Sequence, residues 1–132
     1  MLEALRLEKG ITEFTTVQTD AFDPVLDGKD VIVRSRTGTG KTLAFGMPSL
    51  TRLAATLEKT GTRDARTKKM RRGRPVSMLV LCPTRELARQ VQGELSIVAR
   101  PLRLTVEVFH GGVSYEPQVR VGKYSSERPS KF

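Results

Sequence analysis

Ser35-Arg36-Thr37-Gly38-Thr39-Gly40-Lys41-Thr42, entered from the apolar run Asp30-Val31-Ile32-Val33, is the stretch whose reading decides the fold. Two glycines let successive backbone N–H groups turn inward and approach phosphate oxygens that a β-carbon would push away. Lys41 adds a full positive charge. If Thr42 opens a helix, the unpaired N–H groups and the positive dipole end of that helix face the same anion, and the threonine hydroxyl is placed to enter a Mg²⁺ shell. The general phosphate-loop pattern G-x-x-x-x-G-K-[ST] begins with glycine, and Ser35 stands there in this chain. The expectation is a nucleoside-triphosphate loop at the end of a strand.

Outward from the loop, the elements are predicted by periodicity and punctuation. Upstream, Leu2, Leu5 and Ile11 around Gly10 suggest a short helix closed by a glycine turn, and a second helix is expected from about Thr15 to Leu26. Val31 to Arg34 reads as a strand covered on both faces. Downstream, Leu43, Met47, Leu50, Leu53, Ala54 and Leu57 fall at helical spacing, with Pro48 expected to kink that helix. Val76 to Leu81 reads as a second buried strand. Thr84 then caps a helix bearing Leu87, Ala88, Val91, Leu95 and Val98, and Arg103 to Phe109 reads as a third strand. Alternating strands and helices predict an α/β fold with a parallel sheet of about three strands flanked by helices. The loop at Ser35 would then sit at the carboxyl end of its strand, where such sheets bind ligands. Three strands also leave a long unpaired edge.

The chain has 132 residues, room for one ordinary domain, and a single cysteine, Cys82, which excludes an internal disulfide and suits a reducing compartment. No apolar run approaches the roughly 20 residues of a membrane span, and the amino terminus lacks a secretory pattern, so the chain is expected to be intracellular. The net charge of +9 points to a polyanionic partner. That charge is uneven: residues 1–57 are neutral, residues 58–75 carry +6 and residues 76–132 carry +3. The middle stretch holds Arg63, Arg66, Lys68, Lys69, Arg71, Arg72 and Arg74 with only Met70 as a large apolar side chain, so it reads as a flexible basic insertion able to meet a phosphate backbone. Residues 123–132 have no apolar periodicity and read as an unstructured tail. His110 has no neighbouring metal-ligand partner in the sequence and needs no special role.

Four motifs in order name a family. Gly10-Ile11-Thr12-Glu13-Phe14-Thr15-Thr16-Val17-Gln18 precedes the phosphate loop, which continues as Thr42-Leu43-Ala44-Phe45; Pro83-Thr84-Arg85-Glu86-Leu87-Ala88 follows the second expected strand, and Gly111-Gly112 the third. Over residues 2–122 the chain resembles the first RecA-like domain of DEAD-box ATP-dependent RNA helicases. The resemblance implies a RecA-like P-loop NTPase sheet, here incomplete, over residues 1–122, and ATP, Mg²⁺ and RNA as ligands. It assigns the adenine to Gln18, with Thr15 in support, because an amide gives and accepts one hydrogen bond at a base edge. It assigns the phosphates to Ser35, Arg36, Thr37, Gly38, Thr39, Gly40, Lys41 and Thr42, with Lys41 and Thr42 the catalytic pair and Thr42 the Mg²⁺ ligand. It assigns the RNA backbone to Pro83, Thr84, Arg85, Gly111 and Gly112. The chemistry suits this, since a helix start and a guanidinium fork bind phosphate and paired glycines let a strand pass close.

Departures from the family pattern shape the remaining expectations. Phe14 replaces the usual proline, and Cys82 and Ser35 replace alanines. The adenine-stacking aromatic is expected 17 positions before Gln18, where Met1 stands. No aspartate follows Asp64, so the D-E-A-D element, whose carboxylates hold Mg²⁺ and orient water, has no place downstream of Gly112; Glu116 and Glu127 are poor substitutes. The S-A-T motif and the second RecA domain with its arginine finger are also missing. The 132 residues are therefore expected to be part of a helicase that is inactive alone, completed by a second domain or an accessory protein. The alternative is a non-catalytic module binding nucleic acid or a partner. The basic lead Arg72-Gly73-Arg74-Pro75 looks like the nucleolar Gu-type branch and its mitochondrial relatives, which implies a nuclear, nucleolar or mitochondrial location.

Overall fold

Glycine punctuation and threonine caps set the helix boundaries. In the computed structural model, which describes residues 2–61 and 76–114 together with 116 and 118, the first helix, α1, runs Leu2–Lys9 and stops where Gly10 takes φ +64. Gly10 N donates to Arg6 O at 3.0 Å and Ile11 N to Leu5 O at 3.3 Å, closing the helix end as the sequence predicts. Helix α2, Thr16–Leu26, begins after Thr15; α3, Lys41–Lys59, begins after Gly40; α4, Arg85–Ala99, begins after Thr84, whose hydroxyl accepts from Leu87 N at 3.2 Å. Pro48 lies inside α3 and is fully buried, and the helix continues through it although residue 48 offers Ala44 no N–H.

One apolar core joins three of these helices. Leu5 of α1, Leu43, Met47 and Leu50 of α3, and Val91, Leu95 and Val98 of α4 are buried together. The close approach of α3 and α4 is permitted at Gly46, where a β-carbon would strike Leu95 Cδ2. Arg100 Nη1 donates to Glu8 Oε1 at 2.7 Å, tying the end of α1 to the residue that caps α4.

The expected α/β parallel sheet of about three strands is corrected by the structure: the described residues contain four helices and no strand. The segments read as strands are non-helical chain, and two of them, those after residue 75 and residue 102, lay side chains against the core. Met78, Val80 and Cys82 pack on the core, as do Leu104 and Val106, whereas the intervening Leu79 and Leu81 are 78% and 84% exposed. This is the period of two that an extended backbone imposes, without the ladder that would make it a sheet. An apolar run records that a segment is to be covered, but a strand needs a neighbour about 4.8 Å away to accept its N–H groups. Ile32, expected to be buried on both faces, is fully exposed. Of the basic insertion expected over 58–75, Glu58 and Lys59 belong to α3; residues 62–75, Met1 and the tail at 123–132 lie outside the described residues.

Candidate nucleotide and RNA-contacting site

The phosphate loop is shaped by its own side chains. Gly38 and Gly40 take φ +83 and +81, and Gly40 stands at the N-cap of α3. Gly40 O accepts from the N–H groups of both Leu43 and Ala44 at 3.1 Å, which leaves the first two N–H groups of the helix, those of Lys41 and Thr42, without an intrahelical acceptor. Thr39 Oγ1 donates to Arg36 O at 2.9 Å, so the 2.7 Å contact with Ser35 Oγ has the serine as donor. Lys41 Nζ donates to Ser35 O at 2.8 Å and to Arg36 O. Two of the three ammonium donors are thus spent on loop carbonyls, and the loop is held closed by its own lysine. Thr37 is exposed and Thr42 half-buried.

Thr15 and Gln18 are brought against this loop from α2. Thr15 Oγ1 donates to Thr39 O at 2.9 Å across 24 residues of chain. Gln18 is 3% exposed. Its Oε1 accepts from Thr15 N at 3.1 Å and its Nε2 donates to Gly40 O at 3.2 Å. The first of these bonds is half of a capping box, in which the third helical residue reaches back to the N-cap N–H. The spacing Thr15-x-x-Gln18 carries that signal in the sequence, beside the family's adenine assignment. Both ends of the amide therefore have a partner inside the protein, which orients it and leaves one N–H and one oxygen lone pair for a base edge.

A cleft of about 320 Å³ opens beside this junction. Leu5, Ile11, Leu43 and Ile97 form its apolar wall, and Thr15, Gln18 and Gly38 to Gly40 its polar side, with Lys9, Glu13 and Glu94 also lining it. The size and the mix of apolar wall and convergent polar atoms are those of a small-ligand site. Among the described residues no cluster of three or more His, Cys, Asp or Glu side chains could hold a metal ion. The Thr42 hydroxyl at the start of α3 fits a Mg²⁺ ion whose other ligands are phosphate oxygens and water, the usual arrangement for that cation.

The residues expected to meet RNA form a second group at the start of α4. Pro83, Thr84 and Arg85 are exposed. Arg85 leans on the glycine pair: Gly112 has φ +79, and a β-carbon there would lie 2.5 Å from Arg85 Nη1. Gly111 is exposed beside it. Three residues in this group were not anticipated as site residues. Arg89 Nε donates to His110 Nε2 at 3.2 Å, and Gln118 clamps the His110 peptide by accepting from its N–H at 2.9 Å and donating to its carbonyl at 3.1 Å. Contacts 21 residues apart carry no spacing signature, and Gln118 falls beyond the last motif.

No helix among the described residues is long and apolar enough to cross a membrane. The family model of the DEAD/DEAH box helicases matches residues 15–126. The ATP-dependent RNA helicase DDX50 of Homo sapiens is 39% identical over 119 residues, 89% of this chain and 14% of that protein. The nucleolar RNA helicase 2-B of Xenopus laevis is 40% identical over 111 residues, 84% of this chain and 12% of that one. The chloroplastic DEAD-box ATP-dependent RNA helicase 3A of Zea mays is 46% identical over 111 residues, again 84% of this chain and 14% of the relative. The chain therefore spans between 12% and 14% of the length of these curated relatives. With the match running from the Thr15 cap through the phosphate loop to the glycine pair and beyond, this chain belongs to the DEAD/DEAH box helicase family.

Proposed function

We propose that the chain supplies the ATP-holding and RNA-contacting surface of an ATP-dependent RNA helicase. The observation that carries this reading is the join between Gln18 and Gly40, because it ties a base-reading amide to the loop that would hold the triphosphate. The adenine enters the cleft beside Ile11, with Gln18 and Thr15 at its edge. The N–H groups of the loop and of Lys41 and Thr42 meet the phosphates, and Lys41 releases its loop carbonyls to pair with them. Bound Mg²⁺ would neutralise phosphate charge, with Thr42 as its protein ligand. Pro83, Thr84, Arg85, Gly111 and Gly112 take the RNA backbone. The second RecA domain, or a partner in its place, supplies what strand separation needs.

Titration of the 132-residue chain with a fluorescent ATP analogue tests this. Saturable binding is expected, weakened at least about tenfold in Lys41→Ala, where one charge–phosphate pair worth about 1.4 kcal/mol or more is lost. Equal binding by wild type and Lys41→Ala would defeat the reading.

A further inference from the structure

Arg85 and Arg89 stand one turn apart on α4 and share a face. Each meets a different residue of the chain that follows the third apolar segment: Arg85 meets Gly112, and Arg89 meets His110. The second contact fixes the state of the ring. Because Arg89 Nε can only donate, His110 Nε2 must accept, so the ring proton sits on Nδ1, 3.0 Å from Gly111 O, and is donated to it. His110 is thus neutral in this arrangement, and Gln118 holds its backbone from the other side with two hydrogen bonds.

A neutral acceptor has a consequence that a carboxylate would not. An aspartate or glutamate could hold Arg89 as firmly, but it would cancel the charge. The imidazole orients the guanidinium through its inner nitrogen and leaves the full positive charge, with the four N–H donors of the two outer nitrogens on an exposed side chain. The acid beside Arg85 is Glu86, 3.8 Å away with its side chain 75% exposed. Four residues of helix advance about 6 Å, a span comparable to one nucleotide step of a single strand.

We propose that Arg89 is a second phosphate ligand beside Arg85, that neutral His110 is its positioning residue, and that Gln118 holds His110 in place. The proposal rests on the RNA-backbone reading of Arg85 and the glycine pair. It makes the surface a two-step track in which consecutive phosphates of one strand meet consecutive turns of α4.

Fluorescence anisotropy of the 132-residue chain with a labelled single-stranded oligouridine, over a range of salt, is the test. Arg89→Gln is expected to weaken binding about fivefold near 0.1 M salt and to reduce the salt slope by about 0.7, the signature of one lost phosphate contact on a single strand. His110→Leu should weaken it similarly, and His110→Gln, whose carbonyl can still accept from Arg89, should restore most of the loss. The Arg89→Gln/His110→Leu double variant should bind no worse than Arg89→Gln, because His110 acts through Arg89. Arg85→Ala separates the two levels of inference. If it weakens binding while Arg89→Gln changes neither affinity nor slope, the track is wrong and the RNA reading stands; if neither variant matters, both fall. Additive losses in the double variant would overturn the positioning role. His110 is the chain's single histidine, so nitrogen-15 NMR of the ring gives a measurement that needs no RNA: a proton on Nδ1 and a bare Nε2 are expected, and the opposite tautomer would overturn the geometry.

Discussion

The Gln18 side-chain nitrogen donates to the carbonyl of Gly40 at 3.2 Å, across 22 residues of chain, and the same nitrogen fills the space a β-carbon on Gly40 would need. Gly40 meanwhile caps α3 in the left-handed region. One glycine thus serves the backbone of the phosphate loop and the seat of the glutamine at once.

This relationship separates Gly40 from Gly38, which has nearly the same φ and open space around it. Gly38→Ala should incur only backbone strain, roughly 1 kcal/mol, whereas Gly40→Ala adds a clash with Gln18 and should cost about 1–3 kcal/mol more. Urea unfolding followed by circular dichroism checks the order. Equal midpoints for the two variants would mean that the Gln18 seat does not constrain position 40.

Removing the amide tests the other partner. Gln18→Ala deletes two hydrogen bonds from a buried side chain, and a loss of about 1–3 kcal/mol in unfolding free energy is expected. Preference for an adenine over a guanine nucleotide should fall in the same variant. A stable Gln18→Ala protein with unchanged preference would remove the residue from both roles.

The helix entrances and the core allow a graded prediction. Thr84→Ala removes the cap on Leu87 N and should cost ~1 kcal/mol. Met47→Ala empties a fully buried position and should cost about 2–5 kcal/mol. Glu8→Gln breaks an ion pair whose side chains are 37% and 70% exposed, and its effect should stay within about 1 kcal/mol. The ranking of thermal midpoints decides; a Glu8→Gln loss as large as that of Met47→Ala would show that the α1 to α4 tie matters more than the core.

Catalysis is predicted from what the residues lack. The 132-residue chain should hydrolyse ATP no faster with RNA than its Lys41→Ala variant, since no aspartate follows Asp64 to supply the acidic element. Phosphate release measured with and without RNA is the assay. Robust RNA-stimulated turnover would show that other groups orient the water.

Legibility in the sequence followed the range of the forces involved. Gly10 and Thr84 act within a few residues, and each stands at the helix boundary expected of it. The face of α3 made by Leu43, Met47, Leu50, Ala54 and Leu57 is buried as its spacing requires. That the described residues form no sheet was not legible in the same way, because apolar residues such as Ile32, Leu79 and Leu81 state only that cover is wanted, and strand pairing depends on residues distant in the chain. At the candidate site, the motifs propose residues but not their partners. That Gln18 is occupied at both ends, and that Arg89 is steered by His110, follow from contacts between segments that no local pattern encodes.

Ile11 closes the apolar side of the cleft from a position that is only half-buried, just after the glycine stop of α1. Trimming it therefore sacrifices little of the core while enlarging the chamber on the side where the proposed purine would lie. An Ile11→Ala protein would accept an ATP analogue carrying a bulky N6 substituent that the parent excludes. The helix stop at Gly10 would then serve as a chemical-genetic handle, a place where this one protein could be addressed in a mixture of other nucleotide-binding proteins.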